Sequence, residues 1–344
     1  MSHQHLSPDD QKALRILKDT IRHTGERYEV GLMLKNPEMN LPDNADVALR
    51  HFSSLERRFK KDPSFAKSYA AVVTEYITAG HAKPVDIASS ITRGHIWYLP
   101  HHGVTTASKP GKVRVVFNPS ARFRGTSLNE ELFKGPDLLT PLIGVLLRFR
   151  QRPHAISGDI QKMYHQVKVP DHQQSLLRFL WRNPGSREEI KTFQMTVHVF
   201  GAVSSPTSFI YALRRTAEDF GPKYPSAAER VLNNIDVDNY LDSAETEEEA
   251  IIQRREVTDL LKLGGFNMVQ WMSSSRPVLA SVEQSDRARA LDLNADPLPI
   301  ERTLGIPWDC QHDAFIFNST TRKDVKSKRQ MLQEIASIFD PWVF

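Results

Sequence analysis

Residues 235–243 read IDVDNYLDS, and this stretch decides which fold the chain is expected to adopt. An apolar segment lies just upstream, Asp238 is enclosed by Val237 and Asn239, and a second acid follows at Asp242. This alternation of apolar and acidic residues predicts a tight hairpin, followed at Asp242 by a second strand. The stretch raises the question of what a carboxylate does at a hairpin tip, and why its neighbour is asparagine rather than a second aspartate.

A second carboxylate ends an earlier apolar segment. Residues 154–169 read HAISGDIQKMYHQVKV, in which Asp159 follows a strand-like segment and precedes a turn or short helix. An aspartate at such a place also serves as a helix N-cap, and the residues alone leave that interpretation open. Asp159 and Asp238 are 79 positions apart (238 minus 159). On adjacent strand ends their carboxylates would hold Mg²⁺ ions, which prefer carboxylate oxygens.

Strand and helix patterns are mixed along most of the chain. The first hundred residues are predicted to be mainly helical, with helix starts at Ser7-Pro8 and Asp62-Pro63. From about Trp97 onward, short strands bounded by turn residues are separated by helical stretches, one of which is DLLTPLIGVLLRFRQR over residues 137–152. This mixture predicts an α+β fold.

The composition indicates a folded intracellular protein. Among 344 residues, 45 Lys and Arg face 41 Asp and Glu, and the net charge of +4 permits nucleic-acid binding but is equally explained by a solvated basic surface. The single cysteine, Cys310, allows no internal disulfide, so a reducing compartment is expected: the cytoplasm, with access to the nucleus. No apolar run approaches the ~20 residues of a membrane span, so no membrane partner is expected.

The order and spacing of the motifs resemble a reverse transcriptase, most closely the polymerase of BEL/Pao long-terminal-repeat retrotransposons. The resemblance runs from about Tyr98 to the C-terminus and includes the hairpin stretch and the segment around Asp159. In chain order it is carried by YLPHHGV, KVRVVFNPSA, TSLNEELFKGPDLL, LLRFR, GDIQKMYHQV, LRFLW, FGAVSSP, VDNYLDS, LGGFNMVQW, TLGIPWD and IFDP.

This resemblance implies a right-hand polymerase fold of the α+β class. It divides the chain into a helical N-terminal region over 1–96 that leads into the fingers, the fingers and palm over 97–275, and a last part over 276–344. The last part is expected to hold the end of the palm and a truncated start of the thumb or connection region. The RNase H and integrase of such a polyprotein are expected partners that lie outside this chain.

The function implied by the resemblance is RNA-directed DNA polymerisation, with an RNA or DNA template, a primer and a dNTP as partners. Asp159 and Asp238 match the acids that bridge two Mg²⁺ ions, which Mn²⁺ can replace, and Ile160 matches the residue that lends a backbone carbonyl to the metal. Asn239 occupies the catalytic position after Asp238. The ions would lower the pKa of the primer 3′-hydroxyl and hold the triphosphate.

Five further residues match positions that bind the incoming nucleotide. Arg114 matches an arginine that pairs with the triphosphate, and Lys112 is its helper or else a solvated strand lysine. Tyr164 matches an aromatic residue that closes off the sugar's 2′ side, and a core aromatic residue is the alternative. Phe200 and Gly201 match a loop that packs under the nascent base pair, where glycine allows the backbone to approach closely.

Three residues depart from the family's catalytic pattern. Asp236 replaces an aromatic residue, Asn239 replaces the second aspartate of the hairpin, and Gln270 replaces a lysine assigned to protonating the pyrophosphate leaving group. Such general acid catalysis is worth ~10²–10⁴-fold, and glutamine cannot supply it. The alternative function is therefore a degenerate or co-opted copy that keeps the fold and nucleic-acid binding with little polymerase activity. An unrelated Mg²⁺ phosphodiesterase is a third interpretation, which leaves the order of the motifs unexplained.

Overall fold

A computed structural model of the protein describes residues 6–85, 95–105, 111–289, 291–293, 295–304, 306–316 and 327–331. The chain divides into two units, and each unit is made of two segments. The first unit comprises Met1–Leu138 and Lys162–Ala212, and the second comprises Leu139–Gln161 and Leu213–Phe344. Helices and strands are mixed in both, in agreement with the predicted α+β class.

The helices of the described residues are numbered in chain order. They are α1 (Pro8–Thr20), α2 (Ala45–Lys61), α3 (Pro63–Thr78), α4 (Leu142–Phe149), α5 (Ser205–Phe220), α6 (Pro225–Asn233), α7 (Glu247–Leu263) and α8 (Arg276–Ala280). Short 3₁₀ helices cover Leu128–Glu131, Met163–Gln166, Asp171–Leu177 and Gln284–Asp286. No helix among the described residues combines the length and apolarity that a membrane span requires.

The strands form small antiparallel sheets. They are β1 (Arg22–His23), β2 (Tyr28–Glu29), β3 (Ala82–Pro84), β4 (His101–Thr105), β5 (Val113–Phe117), β6 (His154–Ile160), β7 (Arg178–Trp181), β8 (Lys191–Met195), β9 (Ile235–Asp236), β10 (Asn239–Ala244), β11 (Met268–Ser273), β12 (Ile300–Thr303), β13 (Ile306–Asp309) and β14 (Ala314–Phe315). In the first unit β1 pairs with β2, β4 pairs with β5, and the order β3-β8-β7 forms a third sheet.

Two helices of the first unit begin where the sequence predicts. The Ser7 hydroxyl accepts a hydrogen bond from the Asp10 backbone N–H at 3.1 Å, and the Asp62 carboxylate accepts one from the Phe65 N–H at 2.9 Å. In each case a proline follows the cap, where its missing N–H has no helical partner to lose. Helices α2 and α3 pack on each other and bury a core of aromatic and aliphatic side chains.

Among the described residues of the first unit, the histidines His81, His101, His165 and His198 are buried. Burial lowers the pKa of His81, His101 and His198 to about 4 and that of His165 to about 3. The ring of His101 is held on both sides, since Nδ1 lies 2.5 Å from the Tyr69 hydroxyl and Nε2 lies 2.9 Å from the Leu180 carbonyl oxygen. These histidines are therefore neutral at pH 7.

The second unit is built on a four-stranded antiparallel sheet in the order β11-β6-β10-β9. Helix α7 packs on β6, β10 and β11, and α4 packs on β10. The Thr246 hydroxyl caps α7 by accepting from the Glu249 N–H at 3.2 Å, and the helix ends at the C-cap Gly264, which is followed by Gly265 at φ +83°. An apolar core that includes Val145 and Phe149 of α4 and Leu241 of β10 covers part of the sheet.

The structure corrects two predicted boundaries near this sheet. Strand β10 begins at Asn239 rather than at Asp242, so Asn239 is a strand residue and not part of the turn. The helical stretch predicted to begin near Asp137 begins at Leu142. Pro141 explains this shift, because its ring lacks an N–H and disfavours a helical conformation in the residue before it.

Candidate active site

The register of the sheet sets Asp159, Asn239 and Asp236 in one row. Asn239 of β10 lies opposite Asp159 of β6 on one side and opposite Asp236 of β9 on the other. Val269 of β11 continues the row beyond Asp159. Because directly opposite residues of antiparallel strands project from the same face, these four side chains share one face of the sheet.

The hairpin between β9 and β10 has a loop of two residues, Val237 and Asp238. Val237 has φ +55°, in the region that a two-residue hairpin loop requires at its first position. A β-branched residue is strained there, because its Cβ lies close to the backbone carbonyl oxygens. The tip that carries Asp238 is therefore held in a conformation that its own sequence disfavours.

Two hydrogen bonds hold Asp238 beside the end of β6. The backbone N–H of Ile160 donates to the backbone carbonyl oxygen of Asp238 at 2.8 Å. The side-chain amide of Asn239 donates to Asp238 Oδ1 at 3.0 Å. Asp159, Ile160, Asp238 and Asn239 are thus brought together by the structure, and their catalytic and metal-binding roles stay predictions.

Asp159 is a strand residue and not a helix N-cap. It lies in β6 and is paired on both edges, with Asn239 and with Val269. The 3₁₀ helix that follows begins after Lys162, whose φ is +52° and whose side chain makes no capping hydrogen bond. The structural alternative for Asp159 is therefore wrong.

Gln270 lies in an irregular part of β11. The pairing of β11 with β6 shifts register between Val269 and Met272, and Gln270 in this bulge has φ +55° and an exposed side chain. Bulges re-aim side chains at sheet edges and next to active sites. Gly158 of β6 allows the neighbouring Trp271 ring to approach, since a Cβ there would lie 2.9 Å from Trp271 Cε3.

A buried polar network behind the hairpin was not predicted from the sequence. The Asp242 carboxylate accepts hydrogen bonds from the Tyr240 hydroxyl at 2.7 Å and from the Ser243 N–H at 2.8 Å, and forms an ion pair with Arg230 of α6. Burial and the nearby carboxylate raise the pKa of Tyr240 well above 10. The spacing of Tyr240 and Asp242, two residues apart on one strand face, is the signal that could have indicated it.

The donor atoms at the hairpin are of the type that Mg²⁺ prefers. Asp159 and Asp238 supply carboxylates and Asn239 supplies an amide oxygen, all of which are oxygen ligands. Within the described ranges no group of three or more His, Cys, Asp or Glu side chains is placed to hold a metal ion. Asp236 is two strands from Asp159, about 10 Å at the usual strand spacing, so it adds charge to the row without completing a three-carboxylate cluster.

The predicted phosphate-binding residues lie on the exposed side of a strand in the first unit. Arg114 is exposed in β5, where it lies opposite Val104 of β4, and Lys112 is exposed just before β5. Both cations are accessible to a ligand. Their binding roles stay predictions, as does the solvated alternative for Lys112.

The other predicted nucleotide-binding residues also belong to the first unit. The rings of Tyr164 and Phe200 lie 4.5 Å apart between centroids, and Tyr164 is buried. Gly201 has φ +106°, and a Cβ there would lie 2.6 Å from the backbone carbonyl oxygen of Phe117. Glycine is thus required for the close approach to β5, the strand that carries Arg114. The burial of Tyr164 is compatible with the core alternative and leaves its sugar-contacting role a prediction.

Comparisons with known proteins give similarities among solved structures. No protein-family model matches the chain, and no curated protein matches it. Among solved structures the chain is similar to a foamy viral protease-reverse transcriptase in complex with double-stranded DNA, with a TM-score of 0.47 and 14% identity over 77% of this chain. The chain spans 40% of that protein's length.

Proposed function

We propose that this chain is the RNA-directed DNA polymerase domain of a retrotransposon of the BEL/Pao type, with a right-hand fold. The observation that carries the proposal is the register of the second unit's sheet. It sets Asp159 opposite Asn239, while the Ile160 N–H holds Asp238 at the hairpin tip. A polymerase needs carboxylates from two separate parts of the chain at one place, and the nearness of the Asp238 tip to the end of β6 supports assigning Asp159 and Asp238 to this role.

The residues of the hairpin have distinct parts in this reaction. Mg²⁺ bound by Asp159 and Asp238 would supply charge neutralisation for an in-line displacement at phosphorus. The Asn239 amide holds Asp238 through the hydrogen bond to its carboxylate. The backbone bond from Ile160 keeps the tip, and with it Asp238, against the end of β6 that carries Asp159.

A second candidate function is a nucleic-acid-binding copy with weak catalysis. The observation that favours it is the pairing of Asn239 with Asp238, because an amide N–H occupies a carboxylate oxygen that a metal would otherwise share. Gln270 also lacks a proton to transfer at its place in the β11 bulge. Nucleic-acid binding is common to both candidates, and the rate of nucleotide incorporation separates them.

Primer extension on an RNA template tests the proposal. We expect incorporation of dNTPs in Mg²⁺ that rises in Mn²⁺, and its loss in the variants Asp159→Asn and Asp238→Asn. Glu248→Gln, which removes an exposed acid from α7, is the matched control and should extend primers like the wild type. Extension that survives both aspartate substitutions would place the chemistry elsewhere.

Binding to a primer–template hybrid is measured in parallel at several salt concentrations. A polymerase accepts every sequence, so phosphate contacts should dominate, and the logarithm of the binding constant should fall linearly with the logarithm of salt concentration. Binding without extension selects the second candidate. A flat salt response contradicts both, because it removes the electrostatic contact with the phosphate backbone.

A further inference from the structure

A polar pocket lies in the second unit at the opposite end of the sheet from the hairpin tip. It has a volume of ≈ 260 Å³ and is lined by the end of α4 and the residues after it, by α6 and Asn234, and by the second half of β10. Three of these residues are Arg148, Arg152 and Arg230, and we call this site the arginine pocket.

The register of the sheet separates the arginine pocket from the candidate active site. Ser243, which lines the pocket, lies opposite Ala155 near the start of β6. Asp159 lies four residues further along the same strand (159 minus 155), which is about 13 Å at roughly 3.3 Å per residue. The pocket is therefore a distinct site.

Arg148 has no carboxylate partner within the described part of the chain. Its Nε donates to Asn234 Oδ1 at 2.7 Å, and its Nη2 donates to the backbone carbonyl oxygen of Asn233. Both acceptors are neutral, and Nη1 makes no hydrogen bond to any described residue. These bonds fix the guanidinium in place but leave its charge uncompensated, although the side chain is half-buried.

The acids around the pocket pair closely with Arg230 but leave Arg148 and Arg152 without a strong partner. Asp242 is engaged by Arg230, by the Tyr240 hydroxyl and by the Ser243 N–H. The carboxylate nearest to Arg152 is that of Glu249 at 3.8 Å, and these side chains are 42% and 49% exposed, so the pair is weak.

The positive charge of Arg148 and Arg152 is opposed on the pocket lining by Glu229, because Asp242 is already paired with Arg230. Two guanidinium groups against one exposed acid leave a net positive pocket. Guanidinium groups bind phosphate oxygens through paired N–H donors, and Arg148 is already oriented by its two neutral acceptors.

We propose that the arginine pocket binds a phosphate group through Arg148 and Arg152. Its volume of ≈ 260 Å³ is below the roughly 300–1,000 Å³ of sites for drug-sized ligands. It is several times the ≈ 30 Å³ that one water molecule occupies in the liquid. Inorganic phosphate, pyrophosphate and the terminal phosphate of a strand all fit this description, and they share the same chemistry.

Isothermal titration with inorganic phosphate and with pyrophosphate, at constant ionic strength, tests the proposal. We expect wild-type protein to bind pyrophosphate more tightly than phosphate, and Arg148→Gln to weaken both by about tenfold or more, because each hydrogen bond to a charged group contributes about 1.5–3 kcal/mol. Arg148→Lys keeps the charge without the forked geometry and should weaken binding less. Arg152→Gln gives an independent second reading.

Arg255→Gln removes an exposed arginine of α7 and is the matched control, with binding expected to equal that of the wild type. Competition by a 5′-phosphorylated oligonucleotide, but not by its unphosphorylated form, would assign the phosphate to a strand end. Its absence would assign the phosphate to a free compound. Equal affinities of wild type and Arg148→Gln, or equal weakening by Arg255→Gln, would overturn the proposal.

Discussion

The Asn239 amide donates to Asp238, so Asn239→Asp removes a hydrogen bond and adds a second negative charge at the hairpin tip. Without a cation the two like charges should destabilise the protein by up to about 1 kcal/mol. The added carboxylate should raise the affinity of the hairpin tip for Mg²⁺. We expect the thermal midpoint of Asn239→Asp to depend on Mg²⁺ concentration more steeply than that of the wild type.

The rate of nucleotide incorporation by Asn239→Asp should rise less than its metal affinity, because Gln270 still has no proton to transfer. The double variant Asn239→Asp with Gln270→Lys should lower the activation free energy of incorporation by more than the sum of the two single variants. Groups that serve one transition state often behave in this way. Single-nucleotide incorporation against Mg²⁺ concentration measures this. A wild type that is fast, and that Asn239→Asp slows, would make Asn239 an adapted ligand instead of a lost acid.

Val237 offers a separate test of strain at the hairpin tip. Its φ of +55° is disfavoured for a β-branched residue by about 1–2 kcal/mol, whereas glycine adopts it freely at an entropic cost of about 0.5–1 kcal/mol. Val237→Gly should therefore raise the free energy of unfolding by about 0.5–1 kcal/mol, measured by urea denaturation. Val237→Ala keeps a Cβ and serves as the control. A glycine variant no more stable than the alanine variant would show that the turn is not strained.

At the scale of the element, the network of Arg230, Tyr240 and Asp242 fastens α6 to β10. Tyr240→Phe leaves Asp242 with its ion pair and its Ser243 N–H bond, and should cost about 1–1.5 kcal/mol of stability. Asp242→Ala leaves a half-buried guanidinium and a buried hydroxyl without their acceptor, and should cost about 3–5 kcal/mol. Urea denaturation measures the free energy of unfolding of both variants. Equal losses in Tyr240→Phe and Asp242→Ala would contradict the conclusion that Asp242 is the shared acceptor of the network.

The elements themselves could largely be predicted from the sequence. Strand β6, the hairpin and the caps at Ser7 and Asp62 depend on local patterns that are visible within a few residues. Register and tertiary contacts could not be predicted in this way. Asp236 joins the row of Asn239 only because the loop holds two residues, and Arg148 meets Asn234 across 86 positions of sequence.

At the scale of the whole molecule, the buried histidines set the response to acid. Their pKa values are about 4 or below in the folded state and about 6.5 in the unfolded chain, so the unfolded chain binds more protons between these values. Stability should therefore be full above pH 6.5 and fall as the pH drops from about 6.5 to about 4. For His101, which is wholly buried, the loss is of the order of 3 kcal/mol.

Urea denaturation followed by tryptophan fluorescence at pH 7, 6 and 5 measures this loss. His101→Gln should lower stability at every pH but flatten its dependence on pH, since one titrating group is removed. His102→Gln changes the exposed neighbour on the same strand and is the control. An unchanged slope in His101→Gln would show that the protons enter elsewhere.

Both units are assembled from two separated segments, and this has a consequence for synthesis on the ribosome. Strand β6 is an inner strand of the second unit's four-stranded sheet, but its partner β10 begins at Asn239, 79 residues after Ile160 (239 minus 160). At about 5–20 residues per second, the nascent β6 waits roughly 4–16 s for that partner. During this interval its apolar edges are open to pairing with other chains, so chaperone demand should peak before Asn239 emerges.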